Sequence, residues 1–463
     1  MSSFANSYQK QLTLSYALRF TQKGALMKWK VLAASVMLGM AATAQAVTAD
    51  EVHTFTLANG MKFIVLESHT IPNANMYTFW KVGSRNEAPG ITGLSHFFEH
   101  MMFNGSKNFG PKMFDRTMEA KGGSNNAYTS NDLTVYQDWF PASSLETIFT
   151  LESDRIAHLS IDPKMVASER GVVLSERSTG LENSNIRALH EEINGVAFQA
   201  HPYSWPVIGH ESDIKAWTQD DLQRYFTTYY APNNAVSVIV GDVKTDEVKK
   251  LATKYFGAIP KRALPPAVRT VEPEQKGERR LFVAKESATS ANLVIAYKIP
   301  AANSADYYAL EVLQSILGDG KTSRLYKALV EQQLATQVSA SSMDGFDPGL
   351  LYLSAVATAK TAPAQLEQAL LAEVDRLLKD GVSADELQKV KNQKLLNLYR
   401  EQETINGKAQ QLGNYEVFFG DYKKMFDAPA AYEKLTPADI QAVAAKYLKK
   451  AQRTVGVLAA KED

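Results

Sequence analysis

The sequence predicts an α+β fold of two homologous halves, each an antiparallel sheet covered by helices. Three observations lead there. The chain has 463 residues, 45% hydrophobic and 22% charged, a globular composition long enough for two or three domains. Two distant stretches share one layout. Thr218 opens a helix, Asp221 and Tyr229 follow, and Val236 to Val240 forms a strand; Thr436, Asp439 and Tyr447 repeat those offsets before a strand at Thr454 to Leu458. Gln223 and Gln441 also correspond. Both threonines suit an N-cap with an acid in the first turn. Between them, Pro260, Pro265, Pro266 and Pro273 fall among many charges, the composition of a linker. The expected division is a targeting segment (1–46), a first α+β domain (47–258), a linker (259–280) and a second, homologous domain (281–463).

Taken in order, residues 1–46 carry Lys10, Arg19, Lys23, Lys28 and Lys30 and no acid. Met27-Lys28-Trp29-Lys30 reads as a basic start, Val31 to Ala42 as a short apolar core, and Ala44-Gln45-Ala46 as a small-residue cleavage site. Met27 fits a signal-peptide start better than Met1. The apolar run is too short to span a bilayer comfortably. A secreted or periplasmic protein beginning near Val47 is expected, with no stable membrane insertion after signal removal. The balance of 50 bases and 50 acids gives no support for a nucleic-acid partner. Zero cysteine excludes disulfide scaffolds, Cys-ligated metal and thiol nucleophiles.

Thr54 to Leu57 alternates, Asn59-Gly60 supplies a φ > 0 turn, and Met61 to Leu66 returns: a hairpin. A strand follows over Asn75 to Val82 and a helix over Gly93 to Phe103. Helical periodicity returns at Pro111 to Lys121 and Ser143 to His158. Gly122-Gly123 permits an unusual backbone path, after which Asn125 to Tyr136 alternates like one strand. Its edge could receive an extended peptide by β-addition. In the second half, strands between Leu281 and Ile299 precede a helix near Tyr308.

The chemistry concentrates in Ser95-His96-Phe97-Phe98-Glu99-His100. On a helix, residues four apart share one face, so His96 and His100 can bind one Zn²⁺. Glu99, three residues after His96, leans the same way and can act as a general base on a water molecule. The flanking Phe97, Phe98, Met101, Met102 and Phe103 bury this helix, and titratable groups there are costly unless paired or metal-bound. A third ligand is sought in Glu169 to Glu176. These two glutamates lie seven apart on one helix face. Spacing alone leaves either as ligand, the other orienting an imidazole.

The order H-x-x-E-H is the inverse-zincin signature. With Gly83-Ser84-Arg85-Asn86-Glu87, Gly93 to Phe103 and Gly122-Gly123-Ser124-Asn125-Asn126-Ala127-Tyr128-Thr129, it resembles the pitrilysin/insulinase metallopeptidases, in their short, processing-peptidase-like branch. The resemblance covers nearly all of residues 50–460. It implies a clam-like chamber, one Zn²⁺ per chain held by His96, His100 and Glu176, Glu99 as base and Glu169 as supporting acid. It further implies that Asn126 and Ala127 hold substrate backbone. Gly318 to Leu325, followed by Leu334-Ala335, resembles the family's second-half signature. Where active members often carry an Arg and a Tyr seven apart, this chain has Leu329 and Thr336, with Arg324 nearby out of register.

The reading is a zinc endopeptidase acting on unfolded peptides or small polypeptides. It is expected to work as a dimer, possibly with a homologous zinc-less subunit. A non-catalytic assembly or chaperone-like subunit on the same fold is the alternative.

Overall fold

The computed structural model describes residues 47–460; the expected targeting segment lies outside them. The chain reverses at Asn59-Gly60, where Gly60 takes φ +89°. This joins β1 (Val52–Thr56) to β2 (Lys62–Glu67) as an antiparallel pair. Then come β3 (Asn73–Trp80), α1 (Leu94–Met101), α2 (Met113–Ala120), β4 (Ser124–Thr129), β5 (Thr134–Pro141), α3 (Leu145–His158), α4 (Pro163–Asn183), α5 (Asn185–Ala197), α6 (Glu211–Ala216), α7 (Gln219–Tyr229), β6 (Ala235–Gly241) and α8 (Thr245–Phe256). Residues 260–278 carry neither helix nor strand. The second half runs through β7 (Arg279–Ala284), β8 (Asn292–Lys298), α9 (Tyr307–Gly318), β9 (Ala335–Ser342), β10 (Leu350–Ala357), α10 (Pro363–Asp380), α11 (Ala384–Gln402), α12 (Ile405–Phe419), α13 (Lys424–Lys434), α14 (Pro437–Tyr447) and β11 (Arg453–Ala459).

The sheets have the orders β1-β2-β6-β3-β5-β4 and β7-β11-β8-β10-β9. Without β1 they correspond strand for strand. Each is antiparallel apart from one parallel pair, β2 with β6 and β7 with β11. The helices that lead into β6 and β11, α7 and α14, start on the same device. Thr218 and Thr436 each accept a hydrogen bond from the backbone N–H three residues on, and Asp221 and Asp439 bond back to close a capping box.

One expectation is corrected. Residues 125–136 form not one strand but the hairpin β4–β5. Ser130 N–H donates to Leu133 O at 2.8 Å, and the Ser130 hydroxyl accepts from Leu133 N–H at 3.0 Å. Thr129-Ser130-Asn131-Asp132 is an unbroken polar run that interrupts the alternation, and its Ser, Asn and Asp are turn-forming types that mark the reversal.

Each sheet packs one face on helices of its own half. A helix of the other half covers the opposite face: α5 packs on β7, β8 and β11, and α12 on β3 and β6. Buried Leu189 and Ile193 of α5 join Val294, Ala296 and Leu458 in one cluster. Glycines allow the closest approaches. A Cβ on Gly456 of β11 would lie 2.8 Å from Ile193 Cδ1, and one on Gly413 of α12 would lie 2.0 Å from Phe79 Cε2. The halves are also joined where the β9–β10 turn reaches the β4–β5 turn. Arg85 lies 3.3 Å from buried Asp132 and 2.7 Å from Asp347, and Asp347 lies 3.1 Å from His201.

Candidate metal centre

The centre starts at the N-terminus of α1. Gly93 takes φ +90°, and a Cβ there would meet Ile208 O at 2.4 Å, so only glycine fits. Buried Glu87 then caps the helix, accepting from Gly93 N–H at 2.7 Å and Ser95 N–H at 2.8 Å. Burial pushes its carboxyl up to about 8, opposed by those two donors. Leu94, Phe97, Phe98 and Met101 fill the core face of α1, which leaves His96, Glu99 and His100 on the other side.

Across from them, α4 presents Glu169 and Glu176. Glu169 Oε1 lies 2.7 Å from His100 Nδ1, and its Oε2 accepts from Asn104 Nδ2 at 2.7 Å. Glu176 Oε2 lies 3.6 Å from both His96 Nε2 and His100 Nε2. One donor atom from each of His96, His100 and Glu176 falls within 4.8 Å of the others, the one such trio among the described residues. Two bonds of about 2.0–2.1 Å at a tetrahedral angle hold their donor atoms roughly 3.4 Å apart, so the trio fits a zinc ion. Two nitrogens and a carboxylate also suit zinc chemically.

Metal binding needs neutral imidazoles and ionised carboxylates; the shifts of His96 and Glu169 favour that state, and the shift of His100 opposes it. Burial, then the charge of His100, lowers His96 to about 3. Burial also works to lower His100, but the hydrogen bond and charge of Glu169 outweigh it and hold it above its ordinary value. The His100 hydrogen bond keeps Glu169 below the usual carboxylate range. Burial raises Glu99, while Thr129 Oγ1, donating to Glu99 Oε2 at 2.5 Å, works against that rise.

Thr129 ends β4, which pairs only with β5 and closes the sheet order. The two candidate substrate-binding residues on β4, exposed Asn126 and partly buried Ala127, oppose Gln137 and Tyr136 across that pair. α1 packs beside this strand. In the second half, Leu329 is wholly buried in a π-helical turn, and Thr336 on β9 donates to Val356 O at 3.3 Å. Arg324 is committed elsewhere. It bonds Glu386 at 2.7 and 2.9 Å and Gly381 O at 2.7 Å, which removes it as a stand-in for the missing arginine.

Sequence reasoning missed four residues here. Glu87, Asn104 and Thr129 hold α1, Glu169 and Glu99 in place. The fourth is exposed Arg187, on the cleft beside Glu176. Its guanidinium is seated where a Cβ on Gly180 would come within 2.7 Å. Only Glu87 had a local signal, an acid shortly before a helix start; the others meet the centre through tertiary packing.

A two-half α+β fold whose His-x-x-Glu-His helix faces a glutamate-bearing helix defines a class, the inverse zincins. Family profiles match both parts: "Insulinase (Peptidase family M16)" over residues 62–211 and "Peptidase M16 inactive domain" over 216–394. The chain is 31% identical to the zinc protease PqqE of Helicobacter pylori over 405 residues, 86% of this chain and 90% of that one. It therefore belongs to the insulinase (M16) peptidase family. The crystal structure of a protease from Helicobacter pylori superposes with a TM-score of 0.85 at 30% identity, covering 88% of this chain and 99% of that one. The first half of the periplasmic protease PqqL from Escherichia coli shares the fold, with a TM-score of 0.74 at 20% identity over 90% of this chain and 93% of that one. Among the described residues no helix is long and apolar enough to cross a membrane.

Proposed function

We propose that this protein is a zinc endopeptidase that hydrolyses unfolded peptides or small polypeptides. One observation supports this above the rest. Glu176 faces the Nε2 atoms of both His96 and His100 at 3.6 Å, while Glu99, on the same helix as the histidines, is held by Thr129 at the end of β4. His96, His100 and Glu176 would hold one ion per chain, and Glu169 would fix the ring of His100. Zinc, when bound, would polarise the scissile carbonyl and a water molecule. Glu99 takes a proton from that water as its oxygen adds to the carbonyl carbon. It returns the proton to the amine as the C–N bond breaks. The substrate would lie extended along β4, its backbone meeting Asn126 and Ala127.

The reading extends to place and assembly. The segment 1–46 would direct the chain to the periplasm or outside the cell. The zinc-bearing domain (47–258) and its homologue (281–463), joined by 259–280, would enclose the substrate. Because Leu329 and Thr336 offer no substrate contact of the Arg/Tyr kind, the chain would work as a dimer, with a homologous zinc-less subunit before a second copy. The same absence, with the "inactive domain" profile matched over residues 216–394, favours the alternative of a non-catalytic assembly subunit.

The mature chain should be assayed for metal and for cleavage of a quenched peptide, alone and with a zinc-less homologue. Glu99→Gln should keep zinc and lose about 10²–10⁴-fold in turnover. Near-normal turnover in that variant would sink the mechanism. A zinc-free wild type, inactive with and without the homologue, would establish the non-catalytic reading.

A further inference from the structure

The second half holds a cavity of about 260 Å³ where the repeat would place a second metal centre. Its helices α9 and α11 correspond to α1 and α4. Equal stretches of chain separate His100 from the start of β4 and Glu311 from the start of β9. Tyr307 and Glu311 stand one turn apart on α9, as His96 and His100 do on α1. Lys394 of α11 bonds Glu311 at 2.9 Å, much as Glu169 of α4 meets His100. The architecture is kept and the ligands are gone. Nor do the acids here converge as a metal group, since the described residues contain only the trio of the first half.

What remains is acidic and aromatic. Three carboxylates line the cavity, Glu311, Asp344 and Glu401, against one ammonium, Lys394. Lys394 is spent on Glu311, which leaves Asp344 and Glu401 in excess. Asp344 is solvent-accessible at the mouth yet has protein on most sides. That surround, then the Glu311 charge, pushes its carboxyl up to about 6. Tyr307, Tyr415 and Tyr432 supply ring surface, and Tyr415 stacks on Phe419 with centroids 4.8 Å apart. Tyr432 points independently to a ligand. It is 7% exposed and lines the cavity; its hydroxyl bonds no other described residue and is not sealed from solvent, so it opens onto the cavity.

From this we propose that the second-half cavity is a receptor for an organic cation, an ammonium or guanidinium head group. The head group would sit against the tyrosine rings, which attract cations through their negative faces. Its N–H groups would be shared between Asp344, Glu401 and the free Tyr432 hydroxyl. The cavity is somewhat smaller than drug-sized pockets, so it suits a head group and a short chain. A free small amine or a basic side chain on a bound peptide would bring the same chemistry. The proposal does not depend on hydrolysis.

Calorimetry on the full mature chain tests it with cadaverine, acetyl-Gly-Lys-Gly-amide, and the norleucine analogue of that peptide as neutral control. Binding of cadaverine alone identifies free amines as the source, and binding of the lysine peptide identifies peptide side chains. In either case Glu401→Gln and Asp344→Asn should each weaken the cation at least tenfold, and Tyr432→Phe severalfold, with zinc content unchanged. Lys394→Met should act in the opposite direction and tighten it, because it removes the cavity's own cation. A merely structural cluster would not give that reversal. No cation binding at millimolar concentration, equal binding of the norleucine peptide, or binding indifferent to Asp344→Asn and Lys394→Met would overturn the proposal.

Discussion

The helix pairs α1/α4 and α9/α11 occupy the same place in two repeats and carry opposite chemistry. In the first, two largely buried imidazoles face carboxylates across a gap of zinc dimensions. In the second, a tyrosine and a glutamate face a lysine, and the spare charge is negative. The backbone needs neither set; what it supplies is a pair of facing helices beside a sheet edge. The comparison separates the fold from the site, because one architecture tolerates both.

The sharpest way to break the comparison is to remove the feature that only the first pair has. Glu176→Gln should release most of the metal, since it replaces the carboxylate facing both Nε2 atoms. Glu169→Gln should cost less, roughly 10–100-fold in metal affinity or activity, because it only loosens the ring of His100. Elemental analysis after dialysis against a weak chelator gives the order. The reverse order would exchange the two roles.

The link between the halves gives the next effect, through pH. Asp132 is raised to about 6, first by burial, with Tyr203 and Arg85 working against the rise. A carboxyl raised on folding stabilises fully below its unfolded pKa, near 3.9, and loses that contribution as pH climbs to about 6. Two units correspond to at most about 3 kcal/mol. Asp347 is lowered: burial would raise it, but the His201 hydrogen bond and the Arg85 charge prevail. Its contribution is lost only below the unfolded value, outside that window. Thermal melts of wild type and Asp132→Asn between pH 4.5 and 7.5 should show the wild-type advantage shrinking as pH rises. A constant difference would mean that Asp132 titrates normally.

How much of this the sequence carries depends on the distance over which a signal acts. The i, i+4 histidines, the Asn59-Gly60 turn and the Thr218 and Thr436 caps are local, and residue type with spacing makes them legible. Glu169 and Glu176 lie on one helix face, so periodicity cannot rank them, and within the sequence only the family resemblance does. Thr129 reaches Glu99 across 30 residues, and Arg85 reaches Asp347 across 262. The exchange of α5 and α12 between halves is equally hidden. Each helix has an apolar face that fits its own sheet as readily as the other.

That exchange gives the smallest and most discriminating test, since its two contacts differ only in what stands opposite the glycine. A Cβ on Gly413 would land 2.0 Å from the ring of wholly buried Phe79. A rigid ring with neighbours on all sides cannot turn away, so Gly413→Ala should cost about 1–3 kcal/mol by overpacking. It should also loosen α12 from the first sheet. A Cβ on Gly456 would sit 2.8 Å from Ile193 Cδ1 and 3.0 Å from Leu189 Cδ1. These are ends of aliphatic chains that can change rotamer, at roughly 0.5–1.5 kcal/mol for an off-rotamer angle. Gly456→Ala should therefore cost under about 1.5 kcal/mol, partly offset by the lower entropy of the unfolded chain. Denaturation midpoints read the two costs, and hydrogen exchange in α12 and α5 shows which contact has opened. If Gly456→Ala proved the more damaging, α5 on the second sheet would be the tighter of the two exchanges, and the first half, with its candidate metal centre, would depend more on its own core than on the helix it borrows.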